Sequence, residues 1–158
     1  MSLMLHFFRN HFGMTVSIVI ALILSICMSA TAIVWDKLTF SIELLLRNWG
    51  TAFLTIMLIS LLLPVKMMGD AFAGKLGLKH DTLPFGLVSN LVPTLFYNTG
   101  ATLILVGVNV GFGAPYYWNA FWADFFVMFV VSYVLSLIAE RIGMLVAKKA
   151  CQPLQPHL

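Results

Sequence analysis

The chain alternates long apolar stretches with short polar segments. Four of the apolar stretches approach the length of about 20 residues that a helix needs to cross the hydrocarbon core of a bilayer. They comprise residues 14–35, 49–65, 85–108 and 120–139. The first is too long for the apolar core of a signal peptide, about 7–15 residues, so we interpret it as a retained span. Beyond Pro64 an amphipathic segment extends the second stretch as a helix. The pattern predicts an all-α membrane protein with four transmembrane helices.

The composition excludes several other classes of protein. Of the 158 residues, 61% are hydrophobic and only 9% are charged, and the mean hydropathy is +0.97. Soluble domains have about 45–50% apolar and about 25% charged residues. A net charge of +3 from so few charged side chains cannot form the basic face that nucleic-acid binding needs. The apolar content excludes a disordered chain, and two cysteines are too few for a disulfide scaffold. The partner that remains is the lipid bilayer.

The distribution of basic residues predicts which side of the membrane each loop faces. Seven lysines and arginines lie in the two tails and the middle loop, and two lie in the other loops. Since basic residues accumulate in cytoplasmic loops, both termini and the middle loop are predicted to be cytoplasmic. The seven are Arg9, Lys66, Lys75, Lys79, Arg141, Lys148 and Lys149, and the two are Lys37 and Arg47. The aromatic belt at the opposite ends of the spans consists of Trp35, Trp49, Trp118 and Trp122.

The two halves of the chain, residues 1–80 and 81–158, share residue pairs in the same order. Phe12-Gly13 recurs as Phe85-Gly86 and Asn48-Trp49 as Phe121-Trp122, both at a spacing of 73 residues, while Gly69 and Lys75 recur as Gly143 and Lys149 at a spacing of 74. Each half is predicted to be a helical hairpin that begins on the cytoplasmic side. The hairpins therefore form a parallel repeat about an axis along the membrane normal. We predict that they assemble as one four-helix bundle with a short basic tail.

Short motifs in both halves carry a resemblance to one family. The first half contains Met28-Ser29, Trp35, Asn48-Trp49 and Leu63-Pro64-Val65, and the second contains Asn98, Phe121-Trp122 and Arg141-Ile142-Gly143. On these motifs each half resembles a bacterial inner-membrane domain family of unknown function, built as paired transmembrane helical hairpins in tandem repeat. The second half lacks a proline equivalent to Pro64. The resemblance implies a compact protein of the bacterial cytoplasmic membrane and implies no substrate.

Polar residues are concentrated on the third predicted helix. Asn90, Thr94, Tyr97 and Asn98 are spaced i, i+4, i+7 and i+8, which places them on one face. Asparagine is costly in hydrocarbon without a partner, so this face must meet the bundle interior, a water-filled cavity or another protomer. Two roles stay open. The face forms interhelical hydrogen bonds, each worth about 0.6 kcal/mol and at most about 2, or it lines a path for a solute or ion on a helix made irregular by Pro93.

Charged residues occur at the ends of the second and fourth spans. Asp124 is placed near the external start of the fourth helix, where it either complements the positive end of the helix dipole or forms the mouth of a cation path. At the cytoplasmic border, Lys66 and Asp70 are spaced i, i+4, and Glu140 directly precedes Arg141. We interpret these two pairs as surface ion pairs rather than as a gate.

The sequence contains no catalytic or metal-binding pattern. All four histidines lie in predicted tails or loops, so no imidazole is placed within a span to hold haem or a metal ion. Cys27 and Cys151 do not form a CxxC pair, and the GxSxG, P-loop and HExxH motifs are absent. We expect no enzymatic activity, no catalytic residue, no metal and no cofactor.

Three classes of function stay open, and a membrane enzyme is the last of them because no catalytic pattern is present. The first is a transporter or channel for a small solute or ion, with a path lined by Asn90, Thr94, Tyr97, Asn98 and Asp124. Such a role needs a homo-oligomer, because four helices alone enclose little space. The alternative is a membrane scaffold or accessory subunit without transport activity, in which the same face is dry. The concentration of polar residues on one helix favours transport, and the sequence identifies neither the solute nor a protein partner.

Overall fold

The computed structural model describes residues 12–35, 39–80 and 82–151, and every regular element among them is a helix. We number the α-helices in chain order. They are α1 (Phe12–Trp35), α2 (Ile42–Leu62), α3 (Val65–Lys75), α4 (Leu83–Val106) and α5 (Tyr117–Cys151). After its last turn, α4 continues as a π-helix over Gly107–Gly111. The described part of the chain is thus all-α, as predicted.

Four of these helices are long and apolar enough to cross a membrane, which confirms the four predicted spans. They cover Gly13–Trp35, Ile42–Leu62, Leu83–Gly111 and Tyr117–Lys149. The second begins ahead of the predicted start at 49 because Ser41 caps the helix: its hydroxyl accepts the Leu44 N–H at 3.0 Å. The fourth continues past the predicted end at 139, and Gly143 and Ala147 keep one face of this extension buried.

The predicted extension beyond Pro64 is a separate helix. After α2, Leu63 adopts an extended conformation with φ −122° and ψ 130°. Pro64 has no N–H to continue the hydrogen bonds of α2, and it precedes the first residue of α3 instead. Beyond this break α3 packs against α4. Its buried residues are Val65, Gly69 and Ala73.

The four spans form a closed ring. α1 packs against α2 and α5, and α4 packs against the same two helices from the other side. The side chains that the ring encloses are mostly apolar and include Leu24, Met28, Ile56, Ala101 and Met128. Large apolar side chains also cover the outside, among them Leu54, Leu58, Phe126, Val130 and Val134. Lipid tails are as apolar as these side chains, so the outer surface of the ring is suited to contact with the hydrocarbon core of a bilayer.

The first helix of each predicted hairpin buries the same positions. Between Ala21 and Ile33, α1 buries seven side chains, and in every case α4 buries the residue 73 positions later. On α1 these are Ala21, Leu24, Ser25, Met28, Ser29, Ala32 and Ile33, and on α4 they are Thr94, Tyr97, Asn98, Ala101, Thr102, Leu105 and Val106. The spacing equals that of the residue pairs shared by the two halves of the sequence.

A glycine contact joins the hairpins at two places. Gly69 of α3 lies so close to α4 that a Cβ at this position would overlap the Ser89 carbonyl oxygen. Gly143 of α5 lies against α1, where a Cβ would be 3.3 Å from the Val16 carbonyl oxygen. The two glycines are 74 residues apart, and Val16 and Ser89 are 73 apart. Each hairpin therefore uses a glycine near its end to approach the first helix of the other hairpin.

The side of the membrane that each loop faces stays a prediction. Two of the basic residues on which it rests, Arg9 and Lys37, lie outside the described residues. Three of the four tryptophans of the predicted belt, Trp35, Trp118 and Trp122, are more than half exposed at the ends of their helices, whereas Trp49 is half-buried. The placement of these three is the one that an aromatic belt at a membrane surface requires.

Candidate functional site

The polar residues of α4 meet α5 in a line of hydrogen bonds. Asn90 donates from Nδ2 to the Ser136 hydroxyl, and the same hydroxyl lies 2.9 Å from the Thr94 hydroxyl. Thr94 also donates to the Asn90 carbonyl oxygen of its own helix at 2.8 Å. Because Asn90 is 5% exposed and Thr94 is fully buried, these bonds lie inside the bundle.

Asn98 extends this line by about one turn of α4 beyond Thr94. Its Nδ2 donates to the Phe125 carbonyl oxygen at 3.2 Å, and its Oδ1 accepts from the Ser132 hydroxyl at 3.5 Å. Asn98 is also fully buried. We call the set Asn90, Thr94 and Asn98 of α4 with Ser132 and Ser136 of α5 the polar seam.

Tyr97 belongs to a different interface, although the sequence places it with the other three. Its hydroxyl lies 2.9 Å from the Ser60 hydroxyl of α2. Successive residues of an α-helix point about 100° apart, so Tyr97 faces α2 while Asn98 faces α5. The predicted path residues of α4 are divided between two neighbours, and Tyr97 is not part of the polar seam.

Pro93 interrupts the backbone hydrogen bonds of α4 in this region. It has no N–H to offer the carbonyl group of Ser89, one turn earlier in the helix. That carbonyl oxygen lies against Gly69 of α3, whose missing side chain leaves room for it. The Ser89 carbonyl group, to which Pro93 cannot donate, is therefore covered by α3.

A network of charged and polar side chains adjoins the seam where α4 begins. Lys66 Nζ lies 2.6 Å from Glu140 Oε1 and 3.5 Å from Asp70 Oδ1. It also donates to the Ser89 hydroxyl at 3.2 Å, and Ser89 donates to Asp70 Oδ1 at 2.6 Å. We call these four residues the Lys66 network. It joins α3, α4 and α5, and Ser89 directly precedes Asn90 of the polar seam.

One of the two predicted ion pairs has a different partner in the structure. Lys66 and Asp70 form the i, i+4 pair, but the carboxylate of Glu140 contacts Lys66 instead of Arg141. Neighbouring residues of a helix cannot easily pair, because their side chains point about 100° apart. The Glu140 side chain is only 20% exposed. The Lys66 side chain is 53% exposed, so the network joins helices and still lies at the surface of the bundle.

Asp124 lies beyond the other end of the polar seam. α5 begins at Tyr117, so Asp124 is about two turns inside the helix, deeper than the predicted start at 120 implies. It is 7% exposed. The effect of a helix dipole falls off within the first turn, so complementing the dipole does not account for Asp124. Between Asp124 and Ser132, the same face of α5 carries Met128, which is 2% exposed.

Three side chains that were not predicted as site residues, Asn48, Trp49 and Thr102, have buried polar atoms without a hydrogen-bond partner among the described residues. Thr102 and Asn48 are 2% and 0% exposed. Thr102 continues the i, i+4 series of α4 one step beyond Asn98, a signal that was available in the sequence. Asn48 is the first of the buried residues of α2. Its position in the sequence indicated only the internal repeat and the family resemblance.

Comparison with known proteins adds no relative to this picture. No family model, no curated protein sequence and no solved structure matches the chain. The resemblance of each half to a bacterial inner-membrane domain family therefore stays a prediction from short motifs, and the arrangement of the site alone carries the functional argument.

Proposed function

We propose that this protein moves a small solute or ion across the membrane and that the polar seam is part of the path. The observation that carries the proposal is the order of polar groups along the interface of α4 and α5. The Lys66 network, with Glu140, adjoins one end of the seam. Asp124 lies about two turns of α5 beyond the other end. Acidic side chains within spans mark ion and proton pathways in membrane proteins, so a cation or a proton is the favoured cargo.

The arrangement corresponds to a closed path. The side chains of the seam bond one another, and Met128 fills the face of α5 between Ser132 and Asp124. Opening requires α4 to move relative to α5. Pro93 and the π-helical end of α4 are two places at which this helix bends most easily. A homo-oligomer supplies additional wall for the path, because four helices enclose little space.

A membrane scaffold or accessory subunit is the second candidate, and one observation favours it. Asn90, Thr94 and Asn98 already have partners in α5. This is expected of polar side chains whose only role is to hold helices together. Thr102 and Asn48 favour transport instead. A purely structural interior leaves few buried polar groups without partners, and neither of these has one within the part of the chain that the structure describes.

We also propose that the two hairpins are a parallel repeat in a bacterial cytoplasmic membrane, with both termini in the cytoplasm. The equal burial of α1 and α4 at a spacing of 73 residues and the two glycine contacts support the repeat. The ring supports it as well, because the first helix of each hairpin lies between the second helices of both. The excess of basic residues in the tails and the middle loop supports the orientation.

Asn98→Leu tests the transport proposal. Leucine keeps the number and branching of the side-chain heavy atoms but removes the donors and the acceptor of the amide. The protein is reconstituted into liposomes, and the flux of Na⁺, K⁺ and H⁺ down imposed gradients is followed with ion-sensitive dyes. We expect the variant to lose the wild-type flux. Its melting temperature in detergent should fall only modestly, because the two interhelical hydrogen bonds of Asn98, to Phe125 and Ser132, contribute about 0.6 kcal/mol each.

Thr99→Val is the matched control. Thr99 is the neighbour of Asn98 but donates to the Leu95 carbonyl oxygen of its own helix, at 2.7 Å, so the flux should be unchanged. A destabilised Asn98→Leu variant that still transports would remove the seam from the path. A wild type that moves none of the three cations, combined with a lowered melting temperature of the variant, would favour the scaffold.

A further inference from the structure

A cleft opens beside the Lys66 network, where α3, α4 and α5 meet. Its volume is about 700 Å³. Four charged side chains line it, Lys66, Asp70, Glu140 and Arg141. The cleft includes the first turn of the span that starts at Leu83. It therefore lies at one end of the bundle, at the depth of the lipid headgroups.

The charged walls of the cleft carry as many positive as negative groups. Asp70 and Glu140 share the ammonium group of Lys66. Arg141 is exposed and forms no ion pair within the described part of the chain. A purely anionic ligand would have to approach two carboxylates, and a purely cationic ligand would have to approach two cationic side chains. A ligand with both charges, separated by a few bonds, avoids both penalties.

The remaining walls are apolar and open to the outside of the bundle. Leu83 and Leu87 of α4 are 72% and 43% exposed, and Met144 of α5 is 39% exposed. A small water-soluble zwitterion covers little of this surface, whereas an acyl chain that lies on it removes apolar area from its surroundings. The combination of a charged pocket and an apolar wall fits a lipid better than a soluble metabolite.

We propose that this cleft binds a phospholipid whose headgroup carries a primary amine. The phosphate lies on the guanidinium group of Arg141, which offers paired, charge-assisted hydrogen bonds to phosphate oxygens. The ammonium group of the lipid lies against Asp70 and Glu140, which already hold one ammonium group, that of Lys66, at 3.5 and 2.6 Å. The acyl chains pack along Leu83 and Leu87. This binding is independent of whether the protein transports a solute.

Lipid retention tests the proposal. Delipidated protein in detergent is mixed with phosphatidylethanolamine, phosphatidylcholine or phosphatidylglycerol of identical acyl chains, and the bound lipid is counted by native mass spectrometry. Phosphatidylethanolamine should be retained best, because a trimethylated amine donates no hydrogen bond and phosphatidylglycerol has no amine. Arg141→Gln should lower its retention by about tenfold, since the charge-assisted bonds to the phosphate are lost. Free phosphoethanolamine should not compete, because it lacks the acyl chains.

Lys148→Gln is the control for general attraction by positive charge. Lys148 is exposed on the same helix but does not line the cleft, so its replacement should leave retention unchanged. Arg141 is exposed, and its variant should keep the wild-type melting temperature. Equal retention of the three lipids by the wild type, or equal losses in the Arg141 and Lys148 variants, would overturn the proposal. Competition by free phosphoethanolamine would overturn the lipid as the occupant.

Discussion

The two hairpins bury the same positions but differ in the chemistry that they place there. In α1, Ser25 and Ser29 donate to carbonyl oxygens of their own helix, at 3.1 and 2.7 Å. Their counterparts 73 residues later in α4 are Asn98 and Thr102. Asn98 reaches across to α5, and Thr102 has no partner among the described residues. At these positions the hydroxyl groups of α1 thus bond their own helix, whereas Asn98 of α4 bonds a neighbouring helix.

This difference indicates which buried residues the packing of the four spans requires and which it does not require. A serine bonded to its own helix contributes little to the contact between helices. Yet α1 is buried in the ring at the same positions as α4. Small residues together with apolar side chains are therefore sufficient for packing. The asparagines of the polar seam exceed this requirement, which is why the proposed function lies in the second hairpin.

The second helices of the two hairpins also differ. α5 is continuous, whereas a non-helical segment separates α2 from α3. From Phe121 to Ala139 is 18 residues, or five turns of about 3.6 residues, so both lie on the buried face. From Asn48 to Val65 is only 17 residues, and a continuous helix would turn Val65 about 100° away from the buried face. The break after α2 corrects this register.

One-residue insertions should have the largest effect on this comparison. An alanine inserted between Leu137 and Ile138 turns the rest of α5 by about 100° and moves Gly143 away from α1. We expect a cost of more than about 4 kcal/mol, which abolishes the folded protein. An alanine inserted after Leu63, together with Pro64→Ala, lengthens the separation of Asn48 and Val65 from 17 to 18 residues. This equals the separation of Phe121 and Ala139 in the second hairpin. This variant should form a continuous helix and stay close to the stability of the wild type.

Thermal unfolding in detergent, followed by circular dichroism, measures both insertions, and size-exclusion chromatography checks that each variant is monodisperse. Pro64→Ala without the insertion completes the set, because it removes the proline but keeps the shorter spacing. Comparable damage from the two insertions would show that the break at Pro64 does not correct a register. The likeness of the hairpins would then be limited to their first helices.

The two glycine contacts should differ by a smaller amount. A Cβ in Gly69→Ala meets the Ser89 carbonyl oxygen, part of a backbone that cannot easily shift, and should cost about 2 kcal/mol. In Gly143→Ala the new Cβ lies 3.3 Å from the Val16 carbonyl oxygen. The gain in helix propensity, up to about 1 kcal/mol, offsets this contact and leaves the stability almost unchanged.

Gly74→Ala is the control for these variants, since its new Cβ would contact no other helix among the described residues. It should raise the melting temperature through helix propensity alone. Melting temperatures in one detergent rank the three variants. A Gly143→Ala protein as unstable as Gly69→Ala would contradict the geometry of the two contacts.

Local sequence is sufficient to predict the spans and the polar face. Length and hydropathy determine whether a segment crosses a bilayer, and both are properties of adjacent residues. The spacing of Asn90, Thr94 and Asn98 likewise places them on one face without knowledge of the neighbouring helices. The start of α2 is missed because Arg47 interrupts the apolar run, although in the structure its guanidinium group reaches Asn109 at 3.3 Å near the helix end.

Contacts between helices could not be predicted in the same way, because they depend on the register of segments that are distant in the chain. Glu140 contacts Lys66 because the break between α2 and α3 lets α3 pack against α4, beside α5. Tyr97 and Asn98 separate because the ring places α2 and α5 on different sides of α4. Neither arrangement has a signal in the spacing of the residues along one helix.

The smallest expected effect compares the hairpins by one substitution made in each. Ser136 and Ser25 are buried, at 3% and 0% exposed. Ser136→Ala leaves Asn90 Nδ2 without its partner and Thr94 with its own helix alone, and should cost about 1 kcal/mol. Ser25→Ala removes a hydroxyl that donates to the Leu22 carbonyl oxygen of the same helix, and should change the free energy of unfolding by about 0.3 kcal/mol or less. Reversible unfolding by sodium dodecyl sulfate in mixed micelles measures both values. Equal costs would mean that Ser25 contributes as much to the contact between helices as Ser136 does, and would contradict the difference between α1 and the polar seam.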